Sequence, residues 1–104
     1  SMSVTMRIIQ QYDIRAEREF MALEARFASL EAARPDYPKG QRMKPISSAE
    51  PTNTLIWECR FPDIRAEQAV LTLFEGDAAY EELFRQQVAY FQSARVEFFE
   101  NLDF

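Results

Sequence analysis

Histidine is absent from this sequence of 104 residues. Its absence removes the commonest general base, the Ser-His and Cys-His nucleophile pairs, and imidazole ligation of haem or transition metals. Any catalysis has to come from Asp, Glu, Tyr, Lys, Arg, Cys or the substrate itself, and neither a metal site nor a cofactor is expected. Glycine is nearly as scarce, and two residues leave little room for phosphate-cradling loops or turns that need φ > 0. A single cysteine, Cys59, cannot form an internal disulfide, which suits a reducing, cytoplasmic setting. No apolar run approaches the roughly 20 residues that span a bilayer, and no signal-peptide pattern opens the sequence. Ser1-Met2 reads as a cloning remnant ahead of the native start.

What is present is a balanced globular composition, 47% hydrophobic and 28% charged, with nine phenylalanines, four tyrosines and one tryptophan. The length predicts one domain over residues 2–104 with a core rich in rings. A net charge of −5 argues against nucleic-acid and anionic-membrane partners, which are held by basic surfaces.

Apolar periodicity sets out the elements. Val4–Tyr12 alternates as a strand. Asp13 then caps a helix whose Phe20, Leu23, Phe27 and Leu30 recur at helical spacing, with Arg15 and Glu19 paired on its wet side. Pro35, Pro38 and Gly40 enforce a loop, and Arg42–Ser47 follows as a weak strand that Pro45 confines to an edge. "TLIWECRF" is a strand with Leu55, Trp57, Cys59 and Phe61 on one face and Ile56, Glu58 and Arg60 on the other. Asp63 caps a second helix that carries Val70, Leu73 and Phe74 inward and stops near Gly76, a natural C′ residue. Asp77 restarts it with a stripe of Tyr80, Leu83, Phe84, Val88 and Phe91, and Glu81 is placed to pair with Arg85. Arg95–Asn101 closes the chain as a strand.

The pentapeptide DIRAE occurs at Asp13–Glu17 and again at Asp63–Glu67, each time between a strand and a helix. Its chemistry is capping: the Asp oxygen accepts from orphan amides, and the Glu suits the positive end of the helix dipole. The repeat therefore marks a two-half plan, βαββαβ with a split second helix. That is the ferredoxin-like α+β plan, an antiparallel four-stranded sheet in order 4-1-3-2 with the helices on one face. The other face would be bare, carrying Thr5, Arg7, Ile9, Gln11, Ile56, Glu58, Arg60, Arg95, Glu97, Phe99 and Asn101.

"LIWECRFPDIRAEQAV", "FEGDAAYEELF" and the closing "ARVEFFE" resemble the dimeric α/β-barrel superfamily, in particular its NIPSNAP and antibiotic-biosynthesis-monooxygenase-like branches. The likeness in motif covers about residues 55–100. The resemblance implies a homodimer whose sheets pack face to face into a barrel. Some such proteins are cofactor-free oxygenases and some degrade haem. The helix-borne histidine of many of these enzymes has no counterpart in "LTLFEGDAAYEELF".

Three functions fit: binding of a small, partly apolar ligand, cofactor-independent oxygenation or isomerisation of an aromatic or enolisable molecule, and a purely structural homodimer accessory to another enzyme. Trp57 matches the strand tryptophan that lies beside the ligand in some of these proteins, but its face, shared with Leu55 and Phe61, favours a core ring packed against a helix. Tyr12 and Tyr80 are candidate phenol donors at a cleft mouth. Arg7, Glu58 and Arg60, on adjacent strands, could hold an anion and shuttle a proton, or could be an ion-pair set at a dimer seam. Cys59 is either a small buried hydrophobe or a thiolate, the latter needing exposure and nearby positive charge.

Overall fold

The computed structural model describes residues 2–104. Its elements run β1 (Val4–Tyr12), a 3₁₀ turn (Ile14–Ala16), α1 (Glu17–Ala33), β2 (Gln41–Met43), β3 (Thr54–Phe61), α2 (Ile64–Glu75), α3 (Ala78–Val88) and β4 (Phe91–Glu100). The strands form one sheet in the order β2-β3-β1-β4, antiparallel throughout, which is the expected ferredoxin-like α+β arrangement. Among the described residues no helix is long and apolar enough to cross a membrane.

Two strand boundaries differ from expectation. β2 stops at Met43 because Pro45 has no N–H for the ladder. β4 starts at Phe91, which leaves the α3 stripe: the Tyr90 amide closes on the Gln87 carbonyl at 3.0 Å, and the chain then pairs Phe91 with Tyr12.

Register fixes the two faces of the sheet. Val4, Met6, Ile8, Gln10 and Tyr12 of β1 lie beside Phe61, Cys59, Trp57 and Leu55 of β3 on the helix side. Packing there gathers in two clusters. Met6, Trp57, Cys59 and Phe61 pack with Ala66 and Val70 of α2, while Tyr12, Phe20 and Leu55 pack with Met21, Tyr90 and Phe91. Ile8, at the margin of the first cluster, and Gln10 face a cavity between the helices and the sheet instead of a continuous core.

α1 turns a different stripe inward from the expected one. Phe20, Glu24, Phe27 and Glu31 are buried, and Leu23 and Leu30 sit half-buried on its margins. Two carboxylates thus occupy core positions. Arg15 bonds back to Asp13 (2.9 Å) and not to Glu19, because residues 14–16 form a 3₁₀ turn before α1 begins. Arg85 likewise bonds Glu82 (2.6 Å) and not Glu81.

The DIRAE aspartates do cap. Asp13 accepts from the Arg15 amide at 3.0 Å and Asp63 from the Ala66 amide at 2.9 Å. The glutamates diverge: Glu17 takes the Tyr12 hydroxyl and the Lys44 ammonium, whereas Glu67 is buried and its Oε1 has no partner.

The open face is not bare. Glu50, in the segment between β2 and β3, forms an ion pair with Arg95 of β4. Ile9, flanked by Ile56 and Arg95 in the same cross-strand row, is only 4% exposed.

α2 and α3 are divided at Gly76-Asp77. Gly76 adopts φ −88°, an ordinary right-handed value, so the left-handed C′ role is not used here. A Cβ at Gly76 would meet nothing nearer than the Thr72 carbonyl oxygen at 3.7 Å. Gly76→Ala is therefore expected to raise stability by roughly 0.4–1 kcal/mol, by restricting the unfolded chain. A urea titration checks this, and a loss of stability would refute it.

Asp77 is the knot at this junction. It accepts from the Ala79 and Tyr80 amides (2.9 and 3.2 Å), from the Tyr37 hydroxyl and from Arg34, whose Nη1 lies at 2.5 Å. The Tyr37 hydroxyl, opposed by burial and helped by the two amides and Arg34, holds the Asp77 carboxyl below its ordinary 3.8. Its folded-state value is thus depressed, so the stability it supplies is complete above the unfolded value and is lost as pH falls through the folded one. Asp77→Asn is expected to flatten the acid limb of stability below about pH 4, where unfolded aspartate titrates. Unchanged acid unfolding in that variant would refute the assignment.

Candidate functional site

One cross-strand row sets the floor of the cavity: Arg42 of β2, Trp57 of β3, Ile8 of β1 and Val96 of β4 stand side by side on the helix face. All four line a cavity of about 480 Å³, with Gln10 and Ala94 in the next row. α1, α2 and α3 form the roof. The volume lies within the roughly 300–1,000 Å³ of small-molecule sites.

The aromatic wall is built around Tyr80. Its ring stacks on Phe74 at 4.4 Å between centroids and meets Phe27 edge-on at 5.1 Å. Each such pair contributes about 0.5–1.5 kcal/mol beyond area burial, so this wall is preorganised. Burial first, then the charges of Glu31 and Glu24, push the Tyr80 hydroxyl up to about 12. It is therefore a neutral hydrogen-bond donor at physiological pH.

The polar end is a buried charge cluster. Arg42 offers Nε to Glu24 at 2.5 Å and grips Glu31 with both terminal nitrogens, at 2.9 and 3.0 Å. Gln87 of α3, 1% exposed, donates to the other Glu24 oxygen at 2.8 Å. Burial works against the Arg42 charge, but the bonds to Glu31 and Glu24 outweigh it and raise the guanidinium above its ordinary value. β2 is only three residues long, yet its register against Trp57 places this guanidinium under α1.

The sequence candidates divide between the two sides of the sheet. Trp57 and Tyr80 line the cavity. Trp57 is also a core ring, 5% exposed, with its indole N–H buried and without a partner. Tyr12 lies outside the cavity: its ring is fully buried against Phe20 at 4.5 Å, and its hydroxyl is taken by Glu17. Arg7 and Glu58 pair at 2.6 Å on the opposite face, with Arg7 over the Phe99 ring at 5.0 Å. Arg60 does not join them and instead reaches Ser3 at 3.1 Å. Cys59 is buried, and burial raises its thiol above the ordinary value, so it packs as a small hydrophobe.

No protein-family profile matches the sequence, and no curated protein matches it. Solved structures do. A NIPSNAP family protein from Agrobacterium tumefaciens superposes with a TM-score of 0.81 at 10% identity, over 99% of this chain and 89% of that one. The chain has the NIPSNAP and antibiotic-biosynthesis-monooxygenase-like fold. The same NIPSNAP-like frame is found in SnoaB from Streptomyces nogalater, a cofactor-independent oxygenase, with a TM-score of 0.68 at 15% identity over 100% and 97% of the two chains. A putative antibiotic biosynthesis monooxygenase from Nitrosomonas europaea gives 0.71 at 8% identity over 96% and 90%. Identities this low establish the shared fold and nothing about chemistry.

Within this NIPSNAP-like frame, sequence reasoning missed Glu24, Glu31, Arg42 and Gln87. A signal was present, since Phe20-Glu24-Phe27-Glu31 forms an alternating aromatic and acidic stripe at helical spacing. Carboxylates on such a stripe read as solvent-facing until a buried cation is placed opposite them.

Proposed function

We propose that the chain binds a small, partly apolar molecule in the cavity between its helices and its sheet. The observation that carries this reading is the cavity itself: an aromatic wall of Phe27, Phe74 and Tyr80 facing one cluster of buried polar groups. Few, convergent polar groups in an apolar pocket are the usual anatomy of small-molecule sites. Trp57 is the chain's only tryptophan and lines the cavity, so its emission reports occupancy. Titration with small aromatic amines, alcohols and acids is expected to shift that emission in the wild type and less in Ala94→Phe, which adds a ring to the cavity lining. An unresponsive wild type across the series would sink the reading.

Cofactor-independent oxygenation or isomerisation is the second reading, and one observation favours it. The Tyr80 hydroxyl makes no hydrogen bond among the described residues and is kept neutral, so it could donate to a developing oxyanion. Protein-dependent oxygen uptake with an anthrone-like phenol would be its signature, and uptake at background across such phenols would remove it.

Assembly as a homodimer through the sheet is part of the proposal. β4 exposes Val96, Phe98 and Phe99 at 52%, 49% and 41%, apolar surface on both of its sides. Of these, Phe99 stands on the open face of the sheet, paired with Thr5, where a partner sheet would cover it. Phe99→Glu is expected to convert a micromolar dimer into monomer in sedimentation velocity, and a monomeric wild type would overturn the assignment.

A further inference from the structure

The geometry points to the class of ligand: a small aromatic molecule whose polar end donates hydrogen bonds, best as a protonated amine, and which carries no carboxylate or phosphate. This rests on the reading of the cavity as a ligand site. Glu24 and Glu31 carry two negative charges against the single positive charge of Arg42. Arg95 also borders the cavity, but in register it projects to the opposite face, where its guanidinium is held by Glu50 and Glu97. The polar end of the cavity therefore has a net charge of −1, buried where screening is weak.

The carboxylates also keep hydrogen-bond capacity for a ligand donor. Arg42 gives three of its five N–H groups to them, one each from Nε, Nη1 and Nη2, and Gln87 gives one of its two amide N–H groups to Glu24. Each carboxylate oxygen accepts one of these bonds and retains a further lone pair that a ligand donor can use, and the unpartnered Trp57 indole N–H leaves the lining one buried donor as well. A ligand ammonium brings up to three donors to the carboxylates. The packed rings of Phe27, Phe74 and Tyr80 supply the apolar wall for the ligand's aromatic body.

The test is calorimetric titration with three probes of one shape, 2-naphthylmethylamine, 2-naphthylmethanol and 2-naphthoate, at neutral pH. The amine is expected to bind at least tenfold more tightly than the carboxylate, with the alcohol between them. Glu24→Gln, which brings the cluster to neutrality, is expected to erase most of that ratio. Carboxylate binding as tight as amine binding would overturn the ligand class while leaving the cavity a binding site. An amine preference that survives in Glu24→Gln would overturn its assignment to this cluster. No binding by any of the three would refute the underlying cavity reading and the ligand class with it.

Discussion

Arg42→Ala is expected to destabilise the fold by about 3–5 kcal/mol, because it strands two carboxylates that are almost without access to water. Glu24 and Glu31 are each 7% exposed, and Arg42 makes both ion pairs, at 2.5 and 2.9 Å. Only Gln87 remains to Glu24 in the variant. The loss is one of unpaired burial and not of the bridge as such, since a buried ion pair is itself offset by desolvation. The quadruple replacement Glu24→Leu, Glu31→Leu, Arg42→Met, Gln87→Leu, which leaves none of the cluster's polar groups unpaired, should accordingly recover most of the stability. Urea unfolding of the two variants separates the effects. A loss below about 1 kcal/mol for Arg42→Ala would mean that the carboxylates reach solvent or protonate at little cost.

The second large effect is expected at Gly40. This glycine lies close against the Trp57 indole, and a Cβ there would fall within the van der Waals envelope of Cε2, Nε1 and Cζ2. Met6, Cys59 and Phe61 pack against Trp57 on one side, so the ring can yield only towards the cavity and at the cost of those contacts. Gly40→Ala should therefore cost about 1–3 kcal/mol or more by overpacking. It should also move Trp57 emission, since the ring or the segment before β2 has to shift. An unchanged melting temperature together with unchanged emission would refute the close approach. Gly76 is the internal comparison, because the same substitution there has space and carries the opposite sign.

The fold was legible because its local signals agree. Alternation in "TLIWECRF", aspartates at each helix entry, and the glycine-aspartate break between α2 and α3 each specify one element, and together they specify the strand order. The cavity was only half legible. Trp57 could be named because it matches the strand tryptophan of the family the sequence resembles, and Tyr80 because it stands on the apolar stripe of α3. Glu24 and Glu31 could not, because periodicity assigns charge to the solvent side, and only the tertiary placement of Arg42 reverses that. Tyr12 was misplaced for a similar reason. Its position on the inward face of β1 was correct, but its pairing with Phe91 put it in the far cluster, beyond the cavity. Grouping Arg7, Glu58 and Arg60 followed from strand adjacency alone. Cross-strand register then divided them, Arg7 opposite Glu58 and Arg60 opposite Thr5.

β4 is the outermost strand beside β1, and its ten residues pair on one side only. Its amides therefore alternate between those directed at β1 and those directed away. Hydrogen–deuterium exchange along Phe91–Glu100 should follow a period of two, slow and fast by turns. Packing of two sheets face to face would leave that alternation in place. Addition of a further strand at the edge would slow every amide alike, so the exchange pattern of one strand distinguishes two ways of assembling the same chain.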